Sequence, residues 1–244
     1  MFDQDLFPLT ARLAGAKLRR SGFTVAVAAA LPALLIFLGL RDSPAAALKV
    51  FLLFFPYLFL LASQDMAATE VHGGGLENVL FLEGRFRTYL WQKNLVLAAA
   101  AGAYSALAFV GLAAWGLARG VFELRSAAQF GLGLLAGAYY VAAAGALSHV
   151  LRAGSNVVII LLGQAGALIA LILSTTFRTG FVDHLAAGRF PDLESLALFG
   201  GLAAVFPNLI VAPRLAGGGL VVLAGLGLAL VFQRARLRRL ELRK

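Results

Sequence analysis

The sequence predicts an all-α integral membrane protein of six transmembrane helices, with both termini in the cytoplasm, and three observations predict it. Of 244 residues, 61% are hydrophobic and only 14% charged, far from the roughly 45–50% and 25% of ordinary soluble domains. Apolar runs free of Asp, Glu, Lys and Arg recur along the chain, and about 20 such residues cross a bilayer core. Finally, basic residues gather at the two ends and in one internal island, the pattern by which positive charge sets orientation.

Composition also narrows the function. The chain has no cysteine, which removes disulfides, thiolate catalysis and Cys-based metal sites. The formal net charge of +9 does not point to nucleic acid, because the cations stand at the ends of apolar runs and form no aromatic-interleaved surface. The first apolar run holds about 20 residues against the roughly 7–15 of a signal-peptide core, so it is expected to be retained as a span.

Taken in order, the charge-free runs place spans at 21–40, 45–64, 94–118, 126–148, 153–177 and 215–233, with a seventh run at 195–213. The second reaches back to Ala45 only if Lys49 carries its ammonium to the interface. The N-terminal segment (Arg12, Lys17, Arg19, Arg20) and the C-terminal tail (Arg234, Arg236, Arg238, Arg239, Arg243, Lys244) are both basic. An even number of crossings follows. The run 195–213 contains Gly200-Gly201, Pro207 and Pro213 and is assigned to an outer broken or re-entrant element, tolerable where protein covers the freed backbone groups. This topology puts fourteen basic residues inside and seven outside. The fourth and fifth spans form a hairpin about 151–154, and Gly133 and Gly137 allow close helix approach in the fourth. The chain reads as one membrane domain, 1–244, without an internal repeat.

Ahead of the first span, 5–20 sets Leu6, Leu9, Leu13 and Ala16 on one helical face, with the cations largely elsewhere. Such a helix lies in the cytoplasmic interface. The island 70–93 is the main polar segment. Gly73-Gly74-Gly75 breaks any helix descending from the second span, and Leu76, Val79, Leu80, Phe86 and Leu90 then recur at near-helical spacing.

The island resembles the first cytoplasmic loop of the ABC-2 type permeases, the membrane subunits of ATP-driven exporters. That loop carries Glu, three residues, Gly-Thr-Leu-Glu, two or three aliphatics, a Pro and Ser-Arg, then a Lys opening the next span. Here Glu70, Gly74, Leu76 and Glu77 fall in register, Val79 and Leu80 take the aliphatic places, and Lys93 follows Glu77 by sixteen residues. Gly75 replaces the usual Thr, Glu83 the Pro, and Arg85-Phe86 the Ser-Arg. The resemblance implies a permease whose segment 76–90 is a coupling helix docking on a separate nucleotide-binding subunit. The contact would comprise Glu70, Gly74, Gly75, Leu76, Glu77, Leu80, Glu83, Arg85, Arg87 and Lys93. It also implies a second permease copy or a similar permease as partner, ATP and Mg on the ATPase and none on this chain, and a prokaryotic cytoplasmic (inner) membrane.

Other chemistry finds less support. There is no Gly-x4-Gly-Lys-Ser/Thr loop, so any ATP is bound by another chain. His72, His149 and His184 lie on separate segments without ligand spacing, and no metal or catalytic residue is assigned. Asp65, Glu70 and His72 could form the polar centre of a lipid-modifying membrane enzyme, the alternative reading. A stand-alone ion-coupled carrier lacks a carrier group, since the intramembrane polar residues, among them Tyr139, Tyr140, Asn156 and Gln164, include none that is a carboxylate or a base.

Overall fold

The computed structural model describes residues 3–20, 22–63, 85–148, 150–151, 155–176 and 180–241. Helices dominate them, and no strand occurs among the described residues. In chain order the helices are α1 (Phe7–Arg20), α2 (Gly22–Arg41), α3 (Pro44–Phe54), α4 (Pro56–Ala62), α5 (Phe86–Ala118), α6 (Arg125–Ser148), α7 (Ser155–Thr176), α8 (Phe181–Ala187), α9 (Leu193–Val205) and α10 (Gly219–Glu241). Two 3-10 turns, Pro207–Val211 and Pro213–Gly218, link α9 to α10.

Among the described residues, four stretches are long and apolar enough to cross a membrane: Thr88–Ala118, Arg125–Ser148, Ser155–Leu173 and Pro213–Arg236. A fifth joins α3 and α4, which are bent by 40° at Phe55. The apolar part of α2, Val25–Arg41, is shorter. Large apolar side chains on the outside of these helices, including Leu107, Leu162, Ile172 and Leu228, are exposed, a surface suited to lipid rather than water. The chain is a multi-pass membrane protein, with four to five spans among the described residues by length and composition.

Three local features depart from the sequence expectation. The second predicted span, 45–64, is broken: Pro56 has no N–H to donate and its ring crowds the carbonyl four residues earlier, so the helix stops and restarts. Ser43 caps its first half, its hydroxyl accepting from the Ala46 N–H at 3.1 Å, with Pro44 in the first helical position. The third span does not begin at Asn94. Helix α5 starts at Phe86 and runs unbroken through Lys93, so the end of the proposed coupling segment, 86–90, belongs to the spanning rod. And the last predicted span, 215–233, falls within the apolar stretch Pro213–Arg236 but opens as a 3-10 turn, Pro213–Gly218, so that the α-helix itself starts at Gly219.

The core is built around α6. Phe55 and Phe59, at the α3–α4 break, lie over Gly133 and Gly137: a Cβ on Gly133 would stand 2.4 Å from the Phe55 ring, and one on Gly137 2.6 Å from Phe59. Phe55 also packs on Phe130 with ring centroids 5.0 Å apart, and Phe130 stacks on Phe109 of α5 at 4.4 Å. Helix α10 covers the other side of α6, where Tyr139 fills the space a side chain at Gly225 would need.

Candidate functional site

Three places carry polar groups where the fold concentrates them: the foot of α5, the membrane interior around α6, and a groove beside α9.

At the foot of α5, the N-terminal segment is clamped. One Asp3 carboxylate oxygen accepts from Arg85 Nε at 3.1 Å and also from its Nη2. The other accepts from the Asp5 and Leu6 backbone N–H groups, and the Asp3 carbonyl accepts from Gln92 Nε2 at 2.6 Å. The hydrogen bond from Arg85 is the main reason the Asp3 carboxyl is held below its usual pKa, with the Leu6 and Asp5 amides adding to it. Helix α1 then packs on α5, with Thr10 and Ala14 buried, as is Leu6 just ahead of the helix. Leu9 and Ala16 stay exposed beside Arg12 and Arg19. The predicted apolar face of 5–20 is thus divided: Leu6, just ahead of α1, turns into the protein, and Leu9 and Ala16 remain open.

Of the ten residues in the implied ATPase contact, Glu70, Gly74, Gly75, Leu76, Glu77, Leu80 and Glu83 lie outside the described residues, as do Asp65 and His72. The backbone of Arg87 is in the first turn of α5, and nothing is described of its side chain. Arg85 is engaged by Asp3, with 40% of its side chain exposed. Lys93 is only 2% exposed and points into the protein.

In the interior, amides and phenols from separate helices form one chain of hydrogen bonds. Tyr57 Oη of α4 donates to Gln164 Oε1 of α7 at 3.0 Å, and Gln164 Nε2 donates to Tyr140 Oη of α6 at 2.7 Å. Tyr140 in turn donates to Asn208 Oδ1 at 3.0 Å, and Asn208 Nδ2 ends the chain on the Leu53 carbonyl at 3.2 Å. The same groups satisfy backbone carbonyls where helices break. Gln164 Nε2 reaches the Val205 carbonyl and Tyr139 Oη the Ala204 carbonyl, both at the C-terminal end of α9. Gln129 Nε2 meets the Val211 carbonyl, and Asn156 Nδ2 the Ser63 and Ala144 carbonyls. Broken helices at membrane depth need such partners, because an unsatisfied carbonyl in hydrocarbon costs several kcal/mol. The arrangement anchors the end of α9 and the two 3-10 turns to α6 and α7. Sequence reasoning identified Tyr139, Tyr140, Asn156 and Gln164 as intramembrane polar residues, but their spacing along the chain holds no sign of which meet.

The third place is a groove among α7, α8 and α9, of about 690 Å³. Asp192 caps α9, accepting from the Ser195 N–H at 2.6 Å. That bond is the main reason its carboxyl sits below the usual value. Helix α8 is bounded by Gly180 (φ 71°) and Gly188 (φ 66°), left-handed positions that other residues adopt at a cost. Among the described residues, no cluster of three or more His, Asp or Glu could hold a metal ion.

Comparison with known protein families, with curated proteins and with solved structures finds no match.

Proposed function

We propose that this chain is the membrane-spanning permease subunit of an ABC-2-like, ATP-driven exporter, working with a separate ATPase subunit and a second permease copy or similar permease. The observation that carries the proposal is the register of Glu70, Gly74, Leu76, Glu77 and Lys93 in the cytoplasmic island. The mechanics around the island support it. Helix α5 has 33 residues, a rod about 50 Å long at 1.5 Å per residue. It begins within the island and continues through the span without a break. Asp3 ties α1 to the same end of the rod through Arg85 and Gln92. A push delivered at 70–85 by a partner would therefore move α1 and the whole of α5 as one body, the rigid-element transmission on which subunit rotation relies.

In this reading α2 and the bent α3–α4 pair both cross, which with α5, α6, α7 and α10 makes six spans, N-in and C-in, in a prokaryotic inner membrane. The α9 segment and its 3-10 turns form the outer broken element. The chain performs no covalent chemistry; ATP and Mg belong to the partner, and the coupling contact is the island set without Lys93, whose buried side chain is turned into the protein.

Co-purification tests the proposal. The chain should be recovered with an ATPase, and reversing charge at Glu77 and Arg87 together should abolish recovery while leaving the membrane domain folded. Unchanged association and transport in the double variant would remove the coupling assignment. Lipid-modifying activity of the purified chain alone would replace it with an enzyme.

A further inference from the structure

The groove among α7, α8 and α9 has no part in the coupling argument. Its volume of about 690 Å³ is that of a small-molecule site, roughly 300–1,000 Å³. Its walls are small and apolar, with Ala167 and Ala170 from α7 and Ala197 and Gly201 from α9, backed by buried Phe181 and Leu202. Its polar lining is gathered at one end. His184 of α8 and Asp192, Glu194 and Ser195 at the start of α9 all stand there, while Val205 at the far end of α9 is apolar. Thirteen residues of α9 make that slot about 20 Å long. Among the described residues no lysine or arginine lines it. The guanidinium of Arg214, which lies against α8, donates instead to the Ala186 carbonyl at 2.9 Å.

We propose that this groove binds an amphipathic cation, with its ammonium against Asp192 and Glu194 and its apolar tail along Ala170, Ala197 and Gly201. Charge complementarity sets the occupant. Two carboxylates at the mouth of an apolar slot favour a positive head, repel a sulfate or carboxylate head, and give an uncharged lipid tail no reason to prefer this slot to the rest of the helix surface. The inference is independent of the coupling assignment, since binding is measured on this chain alone.

The absence of native cysteine makes a single reporter possible. Leu198 lines the groove and is half exposed, so the full-length L198C variant in glyco-diosgenin micelles is labelled with a maleimide in the presence of dodecyltrimethylammonium or dodecyl sulfate. The cation should slow labelling by about five-fold or more, dodecyl sulfate should not, and L162C on the outward face of α7 should respond to neither. Adding D192N and E194Q to the reporter should remove the protection, while D192N retains a side-chain oxygen for the α9 cap. Adding G201L should remove it too by filling the slot, and a Cβ there meets nothing within 4 Å, so the backbone leaves room for the substitution. Equal protection by both amphiphiles, no protection by the cation, or protection that survives D192N/E194Q and G201L would each overturn the proposal.

Discussion

Helices α6 and α7 are 24 and 22 residues long, and no charge lies within either beyond Arg125 at the start of α6, yet they occupy opposite positions in the fold. In α6, 44% of the apolar stretch is buried inside the protein, against 17% in α7. Both carry paired glycines. Those of α6, Gly133 and Gly137, are filled by Phe55 and Phe59, whereas at Gly163 and Gly166 of α7 an added Cβ would meet nothing within 4 Å. Hydropathy does not explain the contrast, because the less buried α7 is the more apolar of the two. Lipid is as apolar as leucine, so apolarity lets a helix enter the membrane without drawing it to other helices. What draws helices together is close backbone approach and hydrogen bonding, and α6 has both.

The largest effect that would test this contrast is at Gly137. G137L must displace the Phe59 ring, and overpacking of this kind costs about 3 kcal/mol; loss of monodisperse protein on size exclusion and a lowered Tm are expected. An unchanged Tm would mean that the α3–α4 break does not rest on α6. A middling effect is expected from the hydrogen-bond chain. N208A removes the acceptor of Tyr140 and the donor to the Leu53 carbonyl, and Y140F only the donor to Asn208 and the acceptor of Gln164. Single interhelical bonds in membrane proteins contribute about 0.6 kcal/mol and at most about 1.7. N208A, which also orphans a carbonyl at a helix break, should cost more than Y140F in denaturant titration. The reverse order would show that Asn208 does not anchor the turns that follow α9.

At the small end, G166A should leave stability unchanged or raise it by up to about 1 kcal/mol, since Gly is the poorer helix former and the site is open. A marked loss would reveal a partner helix on α7. The clamp at the foot of α5 offers a comparison by pH. Because the folded carboxyl of Asp3 lies below its ordinary value of 3.8, its contribution is present above that pH and is lost only as the pH falls through the lower folded value. Proteolysis at the N-terminus should stay flat through neutral pH and rise only in strong acid, whereas D3N should show the faster rate through neutral pH and converge with the parent in strong acid.

Part of this architecture was legible in the sequence. The apolar runs mark α2, α5, α6, α7 and α10, because crossing a bilayer depends on each residue's own preference for lipid over water. The break after α9 was legible from Pro207 and Pro213, which open the two 3-10 turns, and Gly133 and Gly137 were legible as a point of close approach. Pro56, by contrast, stood in plain view within a run taken as one span, and its missing N–H is the physical cause of the break there. The clamp by Asp3 and the groove at Asp192 and Glu194 gave no signal, since charged residues near span ends ordinarily face solvent.

From the sequence alone came the helical membrane class, the position of most helices, the break at Pro207 and Pro213, and the island with its family resemblance, all properties of single residues or short windows. Only the tertiary structure made α6 the centre, joined Tyr57, Gln164, Tyr140 and Asn208 into one chain, turned Lys93 inward, and tied Asp3 to Arg85. The separation has one physical reason. Transfer from water to lipid is set residue by residue, whereas packing and hydrogen bonding are set by pairs, and Tyr140 and Asn208, 68 positions apart, acquire meaning as a pair only when the helices that carry them meet.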